Sequence, residues 1–452
     1  MILTPARSAE TRRILALAWP VMLTSLNWTL IQLTDIVMLG WTGTDQVAQF
    51  GASRTLLFVV IMVGLGSLTG ILVHASRIDG AGEAEKTGAV LHQGLVVAST
   101  IGLSVAAILY LFAFPMLTAI GVAPAIVPGA ARVVEIIALG FPLTLINIAA
   151  AFFLEGVSRP RRVMVVNLAI LPLHALLAYA WSGGHFGFPA WGAEGAAWAT
   201  TAAAGLNAAM MVGAAWTLPD ARARGIRAIS ALLRRDTLLG ALALLGFGIM
   251  PALASGLELA GFSVLISLST QLGDATAHAF AIVFSVHNLT FGVALGLGSA
   301  AGVRVGNAIG EGNPGQAIPR TLIAAMLAAA ATGGLAFLAL IAAPILIDAF
   351  PATQAVHILA LSMLPLWVPF ILFDGIQIVL VYALRSLGDQ VITGINSILS
   401  YFVITGGMGY WLVHSGWGAN GLVLASGVGM IAAALLHGAR FWQVSRRFRS
   451  QS

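Results

Sequence analysis

The sequence has no cysteine and few charged residues. Of its 452 residues, 59% are hydrophobic and only 9% are Asp, Glu, Lys or Arg, against about 25% charged in an average soluble domain. The lack of cysteine excludes a disulfide framework, a thiolate metal site and thiol redox chemistry. A water-soluble fold cannot keep so much apolar surface away from solvent. The composition therefore predicts a membrane protein that crosses the bilayer many times.

Short segments with alternating polarity, which are typical of membrane-spanning β-strands, are also missing. The sequence instead contains twelve apolar runs, each about as long as the 20 or so residues that a transmembrane helix needs. Backbone groups in lipid must find partners within their own segment, so each run is expected to be a helix. The predicted fold class is an all-α membrane protein with twelve transmembrane helices. The runs are residues 14–40, 47–75, 91–114, 131–156, 163–182, 191–216, 238–270, 277–303, 319–346, 355–384, 390–413 and 417–440.

Basic residues are nearly absent from one side of this predicted topology. If both termini lie on the same side, that side receives 20 of the 22 Lys and Arg residues, and only Arg54 and Arg132 fall near the other side. The positive-inside rule then places both termini in the cytoplasm. The net charge of +5 is spread over short loops, so it does not predict a nucleic-acid-binding face. Residues 1–10 lack the apolar core and cleavage site of a signal peptide, so none is expected.

An internal repeat relates the two halves of the chain. Gly64-Leu-Gly-Ser67 recurs as Gly296-Leu-Gly-Ser299, a shift of 296 − 64 = 232 residues, and Pro20 recurs as Pro251, a shift of 251 − 20 = 231. Similar shifts in the same order predict two six-helix lobes, related by a pseudo-two-fold axis along the membrane normal. The expected domains are an N-terminal lobe at 1–216, a basic cytoplasmic linker at 217–236, a C-terminal lobe at 237–440 and a basic cytoplasmic tail at 441–452.

Three acidic residues lie well inside apolar runs: Asp35, Glu258 and Asp374. A charge at that depth costs roughly 2.5–3.5 kcal/mol on insertion scales, so such residues are usually functional and usually have a partner. The sequence offers no intramembrane Lys or Arg to neutralise them, so each carboxyl should be protonated or should bind a cation. The alternative is a protonated carboxyl that only bridges two helices by a hydrogen bond.

Each of the two carboxylates in the second half has an aromatic residue one helical turn away. Phe262 follows Glu258 by four residues and Phe370 precedes Asp374 by four, so each pair shares a helix face. Converging acids and rings would suit either a small cation or an organic cation. Packing in the core or against lipid is the alternative interpretation of either ring.

Three further polar residues are candidates for the wall of a substrate cavity: Asn27, His174 and Gln377. His174 could form a proton relay with Asp35, or could be a hydrogen-bonded packing residue. Asn27 is the repeat mate of Glu258, because 258 − 27 equals the shift of 231. The two halves therefore differ in chemistry, which favours the C-terminal lobe for the main cation site.

These residues resemble the multidrug and toxic compound extrusion (MATE) family of cation-coupled efflux transporters. The resemblance covers about residues 11–440 and rests on the order and spacing of several short motifs. They are Leu17-Ala-Trp-Pro20, Thr34-Asp-Ile-Val-Met-Leu-Gly40, Gly187-Phe-Pro-Ala-Trp-Gly192, Ala277-His278, Arg304-Val-Gly-Asn-Ala-Ile-Gly310 and Leu384-Arg-Ser-Leu-Gly-Asp389.

The resemblance implies two lobes around a V-shaped cavity that opens alternately to the outside and the inside. It also implies that Glu258 and Asp374 are cation ligands, for Na⁺ in the Na⁺-coupled branch, and that Asp35 takes part in coupling. The sequence departs from the family at His174, where an asparagine is common, and at Phe370, where a tyrosine sometimes stands.

The predicted function is an antiporter in a bacterial inner membrane. Inward movement of Na⁺ or H⁺ would drive export of amphipathic, cationic organic compounds. The expected partners are a small-molecule drug or toxin and the lipid bilayer, with no nucleic acid, no cofactor and a monomeric state.

Three other functions fit the sequence less well. A flippase or exporter of lipid-linked saccharides would need basic residues for pyrophosphate, where this chain has acids. An intramembrane enzyme would need a metal or nucleophile constellation such as His-Glu-x-x-His, which the sequence lacks. An ion channel fits less well with a two-lobed repeat and proline-kinked helices.

Overall fold

The computed structural model describes residues 5–449, and all regular structure among them is helical. The helices follow the apolar runs because a segment in lipid has to satisfy its own backbone groups. Besides α-helices, the described residues form two 3₁₀ turns, Ile229–Leu233 and Pro314–Gln316, and two π-helical segments, Ile398–Gly406 and Val413–Trp417. The α-helices are α1 Pro5–Gly40, α2 Thr44–Gly80, α3 Ala84–Ala119, α4 Val127–Gly156, α5 Pro160–Gly183, α6 Gly192–Trp216, α7 Arg235–Gln271, α8 Asp274–Gly310, α9 Ala317–Ile341, α10 Ala343–Asp348, α11 Gln354–Ser386, α12 Gln390–Ser397, α13 Gly407–Leu412 and α14 Gly418–Arg449.

Ten of the described stretches are long and apolar enough to cross a membrane. The last of them, residues 390–447, contains two crossings, because the helix is interrupted at Gly416 and Gly418. Both glycines have positive φ, 87° and 52°, which residues with a side chain rarely adopt. α6 adds a 25-residue helix rich in alanine and glycine. Together these elements are the twelve transmembrane helices that the sequence predicts.

Helix packing divides the chain into two compact units. One contains residues 23–252, and the other contains the chain from Leu253 onward together with α1 up to Met22. Both divisions fall within two residues of a proline inside a long helix, Pro20 in α1 and Pro251 in α7. A proline removes one backbone hydrogen bond and kinks a helix. The packing units therefore differ from the predicted limits 1–216 and 237–440 by the first parts of α1 and α7.

Small residues bring helix backbones close together in the unit of residues 23–252. A Cβ at Gly66 of α2 would lie only 2.8 Å from the carbonyl oxygen of Pro251 in α7. A Cβ at Gly102 of α3 would lie 2.5 Å from Cα of Pro142 in α4. Helices in lipid gain little from the hydrophobic effect, so such close approaches are a main source of their association.

In the other unit, the first part of α1 packs on α8 and α9. Ile14 and Ala18 belong to a buried cluster that includes Leu297. Glu10 accepts two hydrogen bonds from the guanidinium of Arg304, at 2.6 and 2.7 Å, in the strong bidentate geometry of arginine and carboxylate.

The predicted basic tail at 441–452 is, as far as Arg449, a continuation of α14. Phe441 and Val444 are buried in a cluster with Leu380 and Leu384 of α11. The start of the tail is thus packed on the protein.

Candidate cation-binding sites

Asp374 on α11 is the carboxylate with the most polar neighbours in its unit. Only 4% of it is exposed. Its Oδ1 accepts hydrogen bonds from the hydroxyl of Tyr401 and from Nε2 of Gln377, each 3.1 Å long. Its Oδ2 lies 3.7 Å from Nε2 of His287 on α8. Oδ1 is therefore held by two donors, whereas Oδ2 is the freer oxygen and the better ligand for a cation.

Tyr401 reaches Asp374 from the π-helical segment Ile398–Gly406. The wider winding of such segments is often found at functional sites. Phe262 packs against the Tyr401 ring with centroids 5.8 Å apart, and only 8% of it is exposed. This position matches core packing, the alternative considered for Phe262. Phe370 is half-buried, and its ring occupies the space that Gly427 of α14 leaves open.

Glu258 on α7 is half-buried and interacts electrostatically with Asp374. Two carboxylates in a region of low dielectric repel each other strongly unless a proton or a cation neutralises one of them. The described residues contain no group of three or more His, Cys, Asp and Glu able to hold a metal ion. A Na⁺ ion here would depend on carboxylate and hydroxyl oxygens. The two predicted ligands lie close enough to interact electrostatically, and their cation binding stays a prediction.

Arg385 corrects the expectation that no basic residue accompanies these carboxylates. It lies in the last turn of α11, where the sequence suggests a loop, and it is only 8% exposed. It interacts electrostatically with Glu258. Arg385 follows Asp374 by eleven residues, which is three helical turns, so both lie on one face of α11 about 16 Å apart along its axis. A buried positive charge therefore belongs to the environment of Glu258.

The sequence analysis missed His287, Tyr401 and Arg385. Each lies inside or directly at the end of an apolar run, and a search for every polar residue in those runs would have found them. Nδ1 of His287 and Nε of Arg385 are both buried without a hydrogen-bond partner. Buried polar groups almost always have hydrogen-bond partners. His287 lies against Asp374 and Arg385 interacts with Glu258, so the surroundings of the two carboxylates are polar.

Asp35 forms a second buried pair in the unit of residues 23–252. Its Oδ1 lies 2.8 Å from Nε2 of His174, and the exposed fractions of the two residues are 4% and 1%. Arg54 interacts electrostatically with Asp35, while its Nη1 donates to the carbonyl of Gln32 at 3.3 Å. The proposed partnership of His174 and Asp35 is thus present as direct contact.

Asn27 is fully buried in an amide network between α1 and α5. Its Nδ2 donates to the carbonyl oxygen of Asn167 at 2.9 Å, and its own Oδ1 has no hydrogen-bond partner. Asn207 donates to the side-chain oxygen of Asn167 at 3.2 Å. Asn27 therefore ties two helices together, and its Oδ1 is a fully buried acceptor.

Twelve helical crossings, proline-broken helices and buried carboxylates define a polytopic membrane transporter. A family model confirms this class: MatE, the family that the sequence motifs resemble, matches residues 20–180 and 252–411. The chain belongs to the MatE family of membrane transporters and is not an enzyme.

Curated relatives match the chain over nearly its whole length. The probable multidrug resistance protein NorM of Xanthomonas axonopodis pv. citri is 30% identical over 461 residues, covering 98% of this chain and 96% of that protein. The multidrug resistance protein PmpM of Pseudomonas aeruginosa is 27% identical, covering 98% of this chain and 93% of that protein.

Solved structures have the same fold. The eukaryotic MATE transporter AtDTX14 superposes with a TM-score of 0.88 at 20% identity, covering 98% of this chain and 99% of that one. A MOP superfamily transporter from Pyrococcus furiosus superposes with a TM-score of 0.87 at 18% identity, covering 100% of this chain and 99% of that one.

Proposed function

We propose that the protein exports amphipathic organic cations across a bacterial inner membrane in exchange for Na⁺ or H⁺. Its relatives in Xanthomonas and Pseudomonas carry the name of multidrug resistance proteins, which supports the substrate class. The observation that carries the proposal is the buried Asp374, held by Tyr401 and Gln377, with Glu258 close enough to interact with it electrostatically. Such a pair needs a neutralising cation, and an exchanger needs a site where two cations exclude each other.

Competition for these carboxylates is the proposed coupling step. The hydrogen bonds from Tyr401 and Gln377 hold one oxygen of Asp374 in place, and the other oxygen, with Glu258, receives the Na⁺ or H⁺. An organic cation uses the same negative charges and is displaced when the ion binds. Coupling then requires that the ion and the substrate stabilise different conformations.

Asp35 and His174 are proposed to contribute a second protonation site. Their contact of 2.8 Å between Oδ1 and Nε2 allows one proton to be shared. We also propose a monomer with both termini in the cytoplasm. The distribution of 20 of the 22 basic residues supports this orientation.

Transport by purified protein in liposomes tests the proposal. Ethidium efflux should be driven by one of two separately imposed gradients, Na⁺ or pH, which identifies the coupling ion. Glu258→Gln and Asp374→Asn should abolish this transport while the protein stays folded. Asp348→Asn is the matched control, because its carboxylate is 71% exposed. Undiminished efflux by both amide variants would refute the mechanism.

A further inference from the structure

Three aromatic side chains form a cage where α1 and α5 end. The rings of Tyr179 and His185 are stacked, with centroids 3.8 Å apart and 9° between their planes. Trp41 stands edge-on to Tyr179 at 6.3 Å. With Met38 and Thr42 they line a cavity of about 550 Å³. That volume lies within the range of about 300–1,000 Å³ that is usual for small-molecule sites.

The loop after α5 holds the cage in place. His185 donates its backbone N–H to the carbonyl of Ala180 at 3.0 Å. Gly183 leaves the space for the His185 ring, because a Cβ there would lie 2.7 Å from Nε2 of that ring. Phe186 has a φ of 57°, which is an outlier for a bulky residue and often accompanies a functional requirement. The cage is therefore pre-organised.

The repeat supplies an internal comparison. Tyr410 follows Tyr179 by 410 − 179 = 231 residues, the shift that relates Pro20 to Pro251. Tyr410 also contacts a histidine, His414, with centroids 4.2 Å apart and 32° between the ring planes. The repeat mate of Trp41 is Leu272, because 41 + 231 = 272. The tyrosine is thus duplicated with a histidine beside it, but the position equivalent to His185 is Gly416, because 185 + 231 = 416, and the position equivalent to Trp41 is a leucine.

Charge around the cage favours a cation. No Lys or Arg is among the residues that line the cavity. Asp35 and the cavity residue Met38 are three residues apart on α1 and share one face of it, with the Asp35 carboxylate buried against His174. A cation over the face of a tryptophan or tyrosine ring is attracted by about 0.5–2 kcal/mol, and the exposed Trp41 supplies such a face, whereas the Tyr179 face toward His185 is covered by the stacked imidazole. Trp41 is 70% exposed, so a ligand has direct access.

We propose that the cage is a binding site for planar aromatic cations at the outer surface, and that this site does not include the carboxylates of Glu258 and Asp374. The outer location and the ligand class rest on the proposed function, but binding itself is measurable without transport. The competing explanation is that these rings only anchor the protein at the membrane–water interface.

Binding of propidium, an aromatic dication, to the full-length protein in nanodiscs tests the proposal by fluorescence. The parent for all measurements is Asp374→Asn, which removes a candidate membrane-embedded site and leaves the cage. Trp41→Leu and Tyr179→Leu should each weaken propidium binding about tenfold. Trp41→Phe, which keeps an aromatic ring, should restore most of the affinity.

Tyr410→Leu is the matched control, because Tyr410 is the repeat mate of Tyr179 and the position equivalent to Trp41 is Leu272. It should leave the affinity unchanged. Equal affinity in Trp41→Leu and the parent overturns the proposal, as does an equal loss in Tyr410→Leu. If Trp41→Leu weakens propidium binding as expected while Glu258→Gln and Asp374→Asn both transport normally, the proposed coupling is refuted and the cage is not.

Discussion

Arg385 is a buried cation that interacts electrostatically with one of the two carboxylates, Glu258. Its guanidinium interacts with Glu258, and its Nε lacks a hydrogen-bond partner. A fixed positive charge next to Glu258 must weaken the binding of any transported cation. It therefore favours release of that cation, which a transporter needs as much as binding.

Replacing Arg385 by glutamine removes this charge. The coupling cation should then bind more tightly, by about 1 kcal/mol or roughly fivefold in half-activating concentration. The maximal rate of efflux should fall because release becomes slower. Initial rates over a range of Na⁺ concentration and pH measure both effects. Arg385→Lys keeps the charge and is the control; unchanged activation in Arg385→Gln would contradict the assignment.

Tyr401 combines a packing role with a polar one, and Tyr401→Phe separates them. The ring contact with Phe262 at 5.8 Å is retained, but the hydrogen bond to Asp374 is lost. A hydrogen bond to a charged group contributes about 1.5–3 kcal/mol. We expect cation-driven efflux to fall at least tenfold, with a melting temperature close to that of the wild type. Wild-type efflux would show that the hydroxyl has no part in coupling.

Arg224 fastens the linker between α6 and α7 to α2 and α3. Its Nη1 donates to Asp79 at 2.8 Å, and its Nε donates to Asp220 at 2.6 Å. Its carbonyl oxygen accepts the backbone N–H of Gly88 at 2.9 Å. Partial burial alone would raise the pKa of Asp220, but the hydrogen bond and charge of Arg224 outweigh it and hold that pKa below its ordinary value.

This ion pair gives the linker a predictable pH dependence. Because the pKa of Asp220 is lowered in the folded protein, its ionised carboxylate stabilises the linker at neutral pH. This stabilisation is lost as the pH falls through the pKa that Asp220 has in the folded protein. The effect is small because 38% of the Asp220 side chain is exposed. Amide hydrogen exchange across residues 217–228, corrected for intrinsic rates, should speed up on acidification.

In Arg224→Gln, the same amides should exchange rapidly already at neutral pH. Lys86→Gln is the control, since its exposed pair with Glu83 lies nearby on α3. Slow exchange in Arg224→Gln at neutral pH would count against this role of Arg224.

At the level of secondary-structure elements, the sequence predicts where the helices lie but not which side chains each helix turns toward its neighbours. The twelve crossings follow from apolar length, because lipid leaves the backbone few choices. The sequence indicates the contact between Asp35 and His174 as one alternative, a proton relay, because both are polar residues inside apolar runs, although the runs are the first and the fifth. The π-helical winding that carries Tyr401 to Asp374, and the burial of Arg385 at the end of α11, depend on tertiary packing, which apolar length does not encode.

The molecule as a whole combines a sequence repeat with a different division into packing units. The repeat runs from one half of the chain to the other, yet α1 and α7 each contribute residues to both units. Pro20 and Pro251 hint at these break points, but the sequence does not say which unit receives the first part of each helix. That choice is made by close contacts such as Gly66 with Pro251.

Membrane orientation is a property of the whole chain, and the absence of cysteine makes it directly measurable. Leu233, which is 87% exposed, lies in the linker, and Ile345, which is 78% exposed, lies in α10. With both termini in the cytoplasm, an even number of crossings places residue 233 inside and residue 345 outside. An impermeant maleimide added to intact cells should therefore label Ile345→Cys and not Leu233→Cys, whereas lysed cells should label both. The reverse pattern would invert the topology, and with it the proposed outer position of the aromatic cage, because the carboxyl end of α5 lies on the same side as α10.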